Sequence, residues 1–164
     1  MWADDLANRL VVQLRRRGWK IVFAESCTGG MAAATITRIP GVSDCFCGSA
    51  VTYLNEVKQD WLRVDAAMIA EQTAVCGDVA KAMAMGVLNC TEQADISAAI
   101  TGHLGPGAPH DSDGVAFIAI ANRHQPEKVA EVIKIGLQRE GRTPRQREAT
   151  AQLFHAVLSH LEGC

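Results

Sequence analysis

Aromatic side chains are scarce in this 164-residue sequence: four Phe, three Trp and one Tyr, or 5% of the chain. So thin a supply gives little platform for stacking nucleic-acid bases. Charge of one sign is also lacking. Lys plus Arg is 16 and Asp plus Glu is 18, a net charge of −2. A binder of nucleic acid or of a membrane surface carries a basic surplus, so neither partner is expected. No apolar run approaches the length of a membrane span. The first five residues lack the basic and apolar regions of a secretory signal. The six cysteines, at 27, 45, 47, 76, 90 and 164, therefore read as reduced thiols of a cytoplasmic protein, not as a disulfide framework. What is present is a core-forming composition, 48% hydrophobic and 21% charged, which excludes a disordered chain. The length predicts one domain over 1–164.

Periodicity predicts the elements. Leu6, Leu10, Val11 and Leu14 mark an amphipathic helix over 3–17, closed by Gly18. The run 21–24 reads as a buried strand. A Ser/Thr/Gly turn follows, then an alanine-rich helix over 31–39 stopped by Pro40-Gly41. A second strand is expected at 46–53 and a short helix capped by Asn55 that carries Lys58 and Trp61. A helix over 73–88, a strand at 96–101, a glycine-rich loop over 102–113, a hairpin of 115–121 with 129–135, and a closing helix over 145–161 complete the chain. Pro144 falls at the start of that last helix. Strands alternating with helices and ending in a hairpin predict an α/β fold: a three-layer α/β/α sandwich with a mixed, mostly parallel sheet of about five strands.

The most informative segment is Ala24-Glu25-Ser26-Cys27-Thr28-Gly29-Gly30, where a strand gives way to a helix. Unpaired N–H groups at such a junction can bind a phosphate or stabilise an oxyanion. Ser26 is either an N-cap or a nucleophile on this evidence. The spacing is not that of a P-loop, a Gly-x-Ser-x-Gly elbow or a Rossmann fingerprint. A nucleophilic serine needs a base. His103, His110 and Lys58 are the candidates, Lys58 on condition that burial lowers its pKa. His155 and His160, on the closing helix, read as surface residues.

These residues resemble the nicotinamide-nucleotide amidohydrolase family, also called the C-terminal domain of the competence/damage-inducible protein CinA. The likeness runs through residues 24–30 and Ile39-Pro40-Gly41-Val42-Ser43. It continues in Tyr53-Leu54-Asn55-Glu56-Val57-Lys58 and Trp61-Leu62-Arg63-Val64, then Ile100-Thr101-Gly102 and Gly105-Pro106-Gly107, and ends at Arg147 with Thr150. It implies hydrolysis of the carboxamide of nicotinamide mononucleotide to nicotinate mononucleotide and ammonia, without a metal or cofactor, by a chain similar to the stand-alone form. It also implies Ser26 as nucleophile, Lys58 as its basic partner and Tyr53 as an orienting group. Cys27, Thr28, Gly29 and Gly30 would hold the oxyanion or the phosphate. Thr101, Gly102, Gly105 and Gly107 would shape a nucleotide pocket. Arg147 would be a phosphate ligand, its fork suited to phosphate oxygens.

Three places depart from the family pattern. His103-Leu104 stands where a small apolar pair is usual. Ala108-Pro109 follows Gly-Pro-Gly, so a left-handed backbone at Ala108 would be strained. Gly141-Arg142-Thr143 breaks the family's order of Gly, Asp or Asn, Arg before its second arginine, leaving Arg142 or Arg145 to substitute there. Alternative readings are a silent nucleotide-binding paralogue, a cysteine hydrolase using Cys27 and His103, and a zinc site from Cys45, Cys47, His103 and His110. Met83, Met85 and the hairpin strands are candidate surfaces for a homo-oligomer.

Overall fold

A computed structural model describes residues 3–109, 112–125 and 130–163. The elements in chain order are α1 (Ala3–Arg17), β1 (Ile21–Glu25), α2 (Met31–Ile36), β2 (Phe46–Val51), α3 (Asn55–Leu62), α4 (Ala66–Gln72), α5 (Gly77–Asn89), β3 (Ile96–Gly102), β4 (Val115–Asn122), β5 (Glu131–Gly136) and α6 (Arg142–Glu162). The five strands form one sheet in the order β2-β1-β3-β4-β5. β1 pairs in parallel with β2 and with β3, while β4 is antiparallel to both of its neighbours. Four strands thus point one way and β4 alone points back, which is the mixed, mostly parallel sheet expected.

Strand alternation divides the core in two. Ile21, Phe23, Ile96, Ile100, Ile118 and Ile120 face α1, α2 and α6. Val22, Ala24, Ala99, Ala119 and Ala121 face α5. The second face is paved with alanine, so the Ala- and Met-rich α5 lies close on it. Closeness there is enforced elsewhere too: a Cβ on Gly86 of α5 would stand 2.1 Å from the Leu62 carbonyl oxygen at the end of α3. Helices on both faces of a central sheet make the three layers.

Several boundaries moved, each for a local reason. α2 ends at Ile36, because the β-branched Thr37 turns its hydroxyl back onto the Ala33 carbonyl (2.8 Å) and offers the backbone a rival to helix. β2 ends at Val51, so Tyr53 lies in the connection to α3. Asn55 is the first helical residue of α3 and not its cap; the cap position is Leu54, without a side-chain bond. The helix expected over 73–88 begins only at Gly77. Before it lies α4, capped by the Asp65 carboxylate on the Ala67 N–H (2.8 Å). Thr73 separates the two helices with φ +87°, a region costly for a β-branched residue. α6 starts at Arg142, so Pro144 sits inside the first turn, where its missing N–H costs nothing. The connection between the two hairpin strands and the expected start of the last strand at 129 lie partly outside the described residues. No helix among those described is long and apolar enough to cross a membrane.

Candidate functional site

The sheet order reverses direction at β1: its next strand, β2, lies on one side and β3 on the other. A crevice opens at the carboxyl ends of strands at such a switch point, where α/β sheets take their ligands. Here it is a cleft of about 280 Å³ lined by Ser26, Tyr53, Asn55, Lys58, Arg142 and the loop Thr101 to Pro109, with Cys27, Ala74 and Val75 completing the wall. Of the residues singled out in the sequence, Ser26, Cys27, Tyr53, Lys58, Thr101, Gly102, Gly105 and Gly107 come together around this one space.

Thr28, Gly29, Gly30 and Arg147 do not line it. The turn that carries the first three is folded around its own side chain. Glu25 is fully buried, and its carboxylate accepts from Thr28 Oγ1 (2.8 Å), Gly30 N (3.1 Å), Ala32 N (3.0 Å), Ala33 N (3.0 Å) and Ser49 Oγ (2.9 Å). Three of those donors are N–H groups at the start of α2 that a phosphate would otherwise use. Gly30 meets the carboxylate with φ +94°, a backbone that glycine adopts without penalty. The Gly29 N–H is bonded to the Ser26 carbonyl (3.1 Å). No backbone carbonyl accepts from the N–H groups of Cys27 and Thr28 among the described residues, and that of Cys27 lies against its own thiol.

Ser26 is held by its N–H on the Ile100 carbonyl (3.0 Å), which continues the β1–β3 ladder one step past its end. Lys58 faces the same cleft from the second turn of α3. It is 1% exposed, and its Nζ donates to the Tyr53 carbonyl at 3.1 Å. No carboxylate pairs with it among the ion pairs of the described residues. Burial pulls its pKa below the ordinary lysine value, against smaller opposing effects of Cys27 and Glu56. Ser26 Oγ and Lys58 Nζ share the cleft without a hydrogen bond between them. Such bonds commonly tighten only when substrate is bound.

Cys27 is a poor nucleophile here. Burial pushes its thiol up to about 12, which leaves almost no thiolate near neutrality and removes the basis of the cysteine-hydrolase alternative. The zinc alternative fails on geometry. Cys47 is the extra residue of a bulge, since Ile21 pairs with Phe46 and Val22 with Gly48. The bulge resets the alternation: Cys45 is buried and Cys47 exposed. Both lie at the opposite end of the strands from His103, and no group of three metal-binding side chains occurs among the described residues. His110 and Cys164 lie outside those residues.

The loop after β3 is shaped by packing as much as by any ligand. A Cβ on Gly102 would meet the Ala116 Cβ at 2.5 Å, so glycine there permits the β3–β4 pairing. The Thr101 hydroxyl is occupied by the Ala74 carbonyl (2.8 Å). His103 lines the cleft with its backbone bonded to Val115 and Gly114. Ala108 has no left-handed backbone and carries no strain.

Arg142, not Arg147, reaches the cleft. Its guanidinium donates to the Gly105 carbonyl (3.0 Å) and to the Tyr53 hydroxyl, bridging the two rims. Arg145 is committed to Asp113 (2.7 Å) and the Arg139 carbonyl (2.9 Å). Arg147 is exposed in the second turn of α6. Asn55, Ala74 and Val75 are wall residues that sequence reasoning assigned no binding role. The last two lie before α5 in a stretch whose composition suits helix. Of the candidate contact surfaces, Met83 is buried and only Met85 is exposed, since residues two apart on a helix cannot share a face. His155 is exposed, as expected, but His160 is half-buried between Glu131 (2.9 Å) and Asn122 (3.3 Å).

Residues 3–161 match the family model described as the CinA C-terminal domain. The chain is 40% identical over 122 residues to a CinA-like protein of Citrifermentans bemidjiense, covering 73% of this chain and 29% of that one. It is 37% identical over 148 residues to a putative competence-damage inducible protein of Halalkalibacterium halodurans, covering 89% and 34%. The chain thus spans about a third of the length of the curated relatives it matches. Among solved structures, a CinA superfamily protein of Klebsiella pneumoniae superposes with a TM-score of 0.91 at 27% identity, covering 100% of both chains. A competence/damage inducible protein of Agrobacterium tumefaciens gives 0.89 at 28% identity, covering 98% and 95%.

Proposed function

The chain belongs to the CinA C-terminal domain family, and we propose that it hydrolyses the carboxamide of nicotinamide mononucleotide, with Ser26 as nucleophile and Lys58 as general base. The observation that carries this reading is the state of Lys58: buried, without a carboxylate partner, lowered in pKa and facing the cleft of Ser26. A lysine so placed gives up its proton more readily than a solvated one and can then serve as a base.

In this mechanism Ser26 Oγ bonds to the carboxamide carbon as its proton passes to Lys58 Nζ. The charge that develops on the carbonyl oxygen falls to backbone N–H groups of the turn after Ser26, of which Cys27 lines the cleft. Collapse breaks the C–N bond, the proton moves from Lys58 to the leaving nitrogen, and ammonia departs. Water then attacks the Ser26 ester as Lys58 takes its proton, and Lys58 returns that proton to Ser26 Oγ as the ester C–O bond breaks. Arg142 supplies the charge for the phosphate at the mouth, exchanging its bonds to Gly105 and Tyr53 for phosphate oxygens. The donors at the start of α2 belong to Glu25, so the phosphate is held by Arg142 and the loop 105–107.

The test is ammonia release from nicotinamide mononucleotide by the wild-type chain, Ser26→Ala and Lys58→Ala. Turnover in the wild type and its loss in both variants are expected. Wild-type protein that is thermally stabilised by the nucleotide but releases no ammonia would make it a binding module instead.

A further inference from the structure

Thr52 is the first residue after β2, and no side-chain atom of it is exposed. Its N–H donates to the Glu25 carbonyl at 2.8 Å. That bond carries the β1–β2 pairing one step beyond Glu25 and Val51 and sets Thr52 beside Ser26. Strand alternation fixes its direction. Ser49 lies on the Glu25 side, bonded to that carboxylate, and the alternation carried one step past Val51 puts Thr52, three residues on, on the other face, the one that α3 and α5 cover. The one bond of Lys58 Nζ goes to the carbonyl of Tyr53, a single residue along from Thr52.

The Thr52 hydroxyl is the one buried side-chain polar atom without a hydrogen-bond partner among the described residues. Other buried hydroxyls on the sheet are satisfied: Ser97 by the Ala84 carbonyl (2.7 Å) and Thr101 by the Ala74 carbonyl (2.8 Å). An orphaned hydroxyl is a standing cost, and a valine of the same shape would avoid it. A use in some other state of the site accounts for its presence.

We propose that Thr52 is a positioning residue whose hydroxyl accepts a hydrogen bond from Lys58 when that amine carries the proton of Ser26. This rests on the reading of Ser26 and Lys58 given above. A neutral amine has two N–H groups and a lone pair. With one N–H on Tyr53 and the lone pair toward Ser26, it asks little more of its surroundings. Once protonated it has three N–H groups: one stays on the Tyr53 carbonyl, one faces the leaving nitrogen, and the third needs an acceptor. Thr52 provides it, so its bond is made on the way to the transition state and not in the free enzyme. The proton travels only from Ser26 Oγ to Lys58 Nζ and on to the leaving nitrogen; Thr52 holds its own hydrogen throughout. The titratable or charged groups around the amine are Cys27 in the turn after β1, Tyr53 in the connection after β2 with its hydroxyl on Arg142, Glu56 on α3, Arg142 at the start of α6 and His103 in the loop after β3. None of them replaces this acceptor.

The test compares Thr52→Val and Thr52→Ser with the wild type, by thermal unfolding, by kcat and KM for nicotinamide mononucleotide, and by NMR titration of the Lys58 side chain in ¹³C-lysine-labelled protein, assigned with Lys58→Met. Thr52→Val is expected to melt at or above the wild-type temperature and to lose roughly 10- to 100-fold in kcat with KM within about twofold. Its Lys58 resonance should titrate at lower pH than in the wild type, and Thr52→Ser should restore both properties. If the valine variant does not fold, Thr52→Ala against Thr52→Ser makes the same comparison. A kcat within about twofold of wild type, or an unmoved Lys58 titration, overturns the proposal. Failure of the wild type to release ammonia refutes the amidase reading by itself; the Lys58 titration still decides the role of Thr52.

Discussion

Glu25 and Lys58 are both buried at the carboxyl end of the sheet, on its two opposite faces, and their surroundings differ sharply. Glu25 accepts five hydrogen bonds and closes the turn that follows β1. Lys58 has one partner, a backbone carbonyl. Saturation makes Glu25 a structural anion: it binds the start of α2 in the way a phosphate would and keeps a ligand out. Starvation leaves Lys58 with an ammonium form that its site stabilises poorly, which suits a group that must give up and regain a proton. Hydrogen-bond saturation lies on one side of β1 and the proposed reactivity on the other.

The sharpest way to break this contrast is Lys58→Met. Activity should fall by about 10²- to 10⁴-fold in kcat/KM, while the melting temperature rises, because an apolar chain replaces a buried, poorly partnered amine. The wild type carries a matching pH signature. Burial lowers the folded-state pKa of Lys58 below its ordinary 10.5. Between the two values the unfolded chain holds a proton that the folded chain has lost, so stability climbs with pH across that window. Denaturant melts over the alkaline range should show the slope in the wild type and its loss in Lys58→Met. Activity should fall as pH drops through the lowered value, since the amine is then protonated.

Glu25→Gln should show the reverse balance. Its amide NH₂ would confront N–H and O–H donors in place of an acceptor oxygen, at a cost of about 3 kcal/mol in a urea titration. A variant as stable as the wild type would mean that the five bonds are not what closes the turn. Arg142→Ala should be milder, with KM raised about tenfold and kcat within about threefold. A change in kcat alone would place Arg142 with the reacting group and not with the phosphate. The smallest effect belongs to Arg147→Ala, with both constants within about twofold of wild type.

Legibility in the sequence followed chain distance. The motif at 24–30 and the pair Tyr53 and Lys58 were visible because a turn after a strand, and a lysine one helical turn from its partner, are local arrangements. The strand and helix order was visible through periodicity. The wall at Ala74 and Val75 was not, because only the left-handed Thr73 interrupts a stretch whose composition suits helix. Arg142 was one of three arginines within six residues, and which of them points at the cleft depends on the helix phase of α6. Thr28 to Gly30 illustrate the converse. Their composition suits anion binding, and they do bind an anion, but it is the side chain of Glu25.

The sequence by itself determined the α/β class, the strand-to-helix turn and the family, because these are written in local spacing and residue type. Tertiary structure decided who occupies the donors of α2, which arginine reaches the mouth, and that the Lys58 amine is dry and nearly alone. Those properties come from what distant segments place around a group: hydrogen-bond saturation and desolvation depend on neighbours that chain order does not reveal.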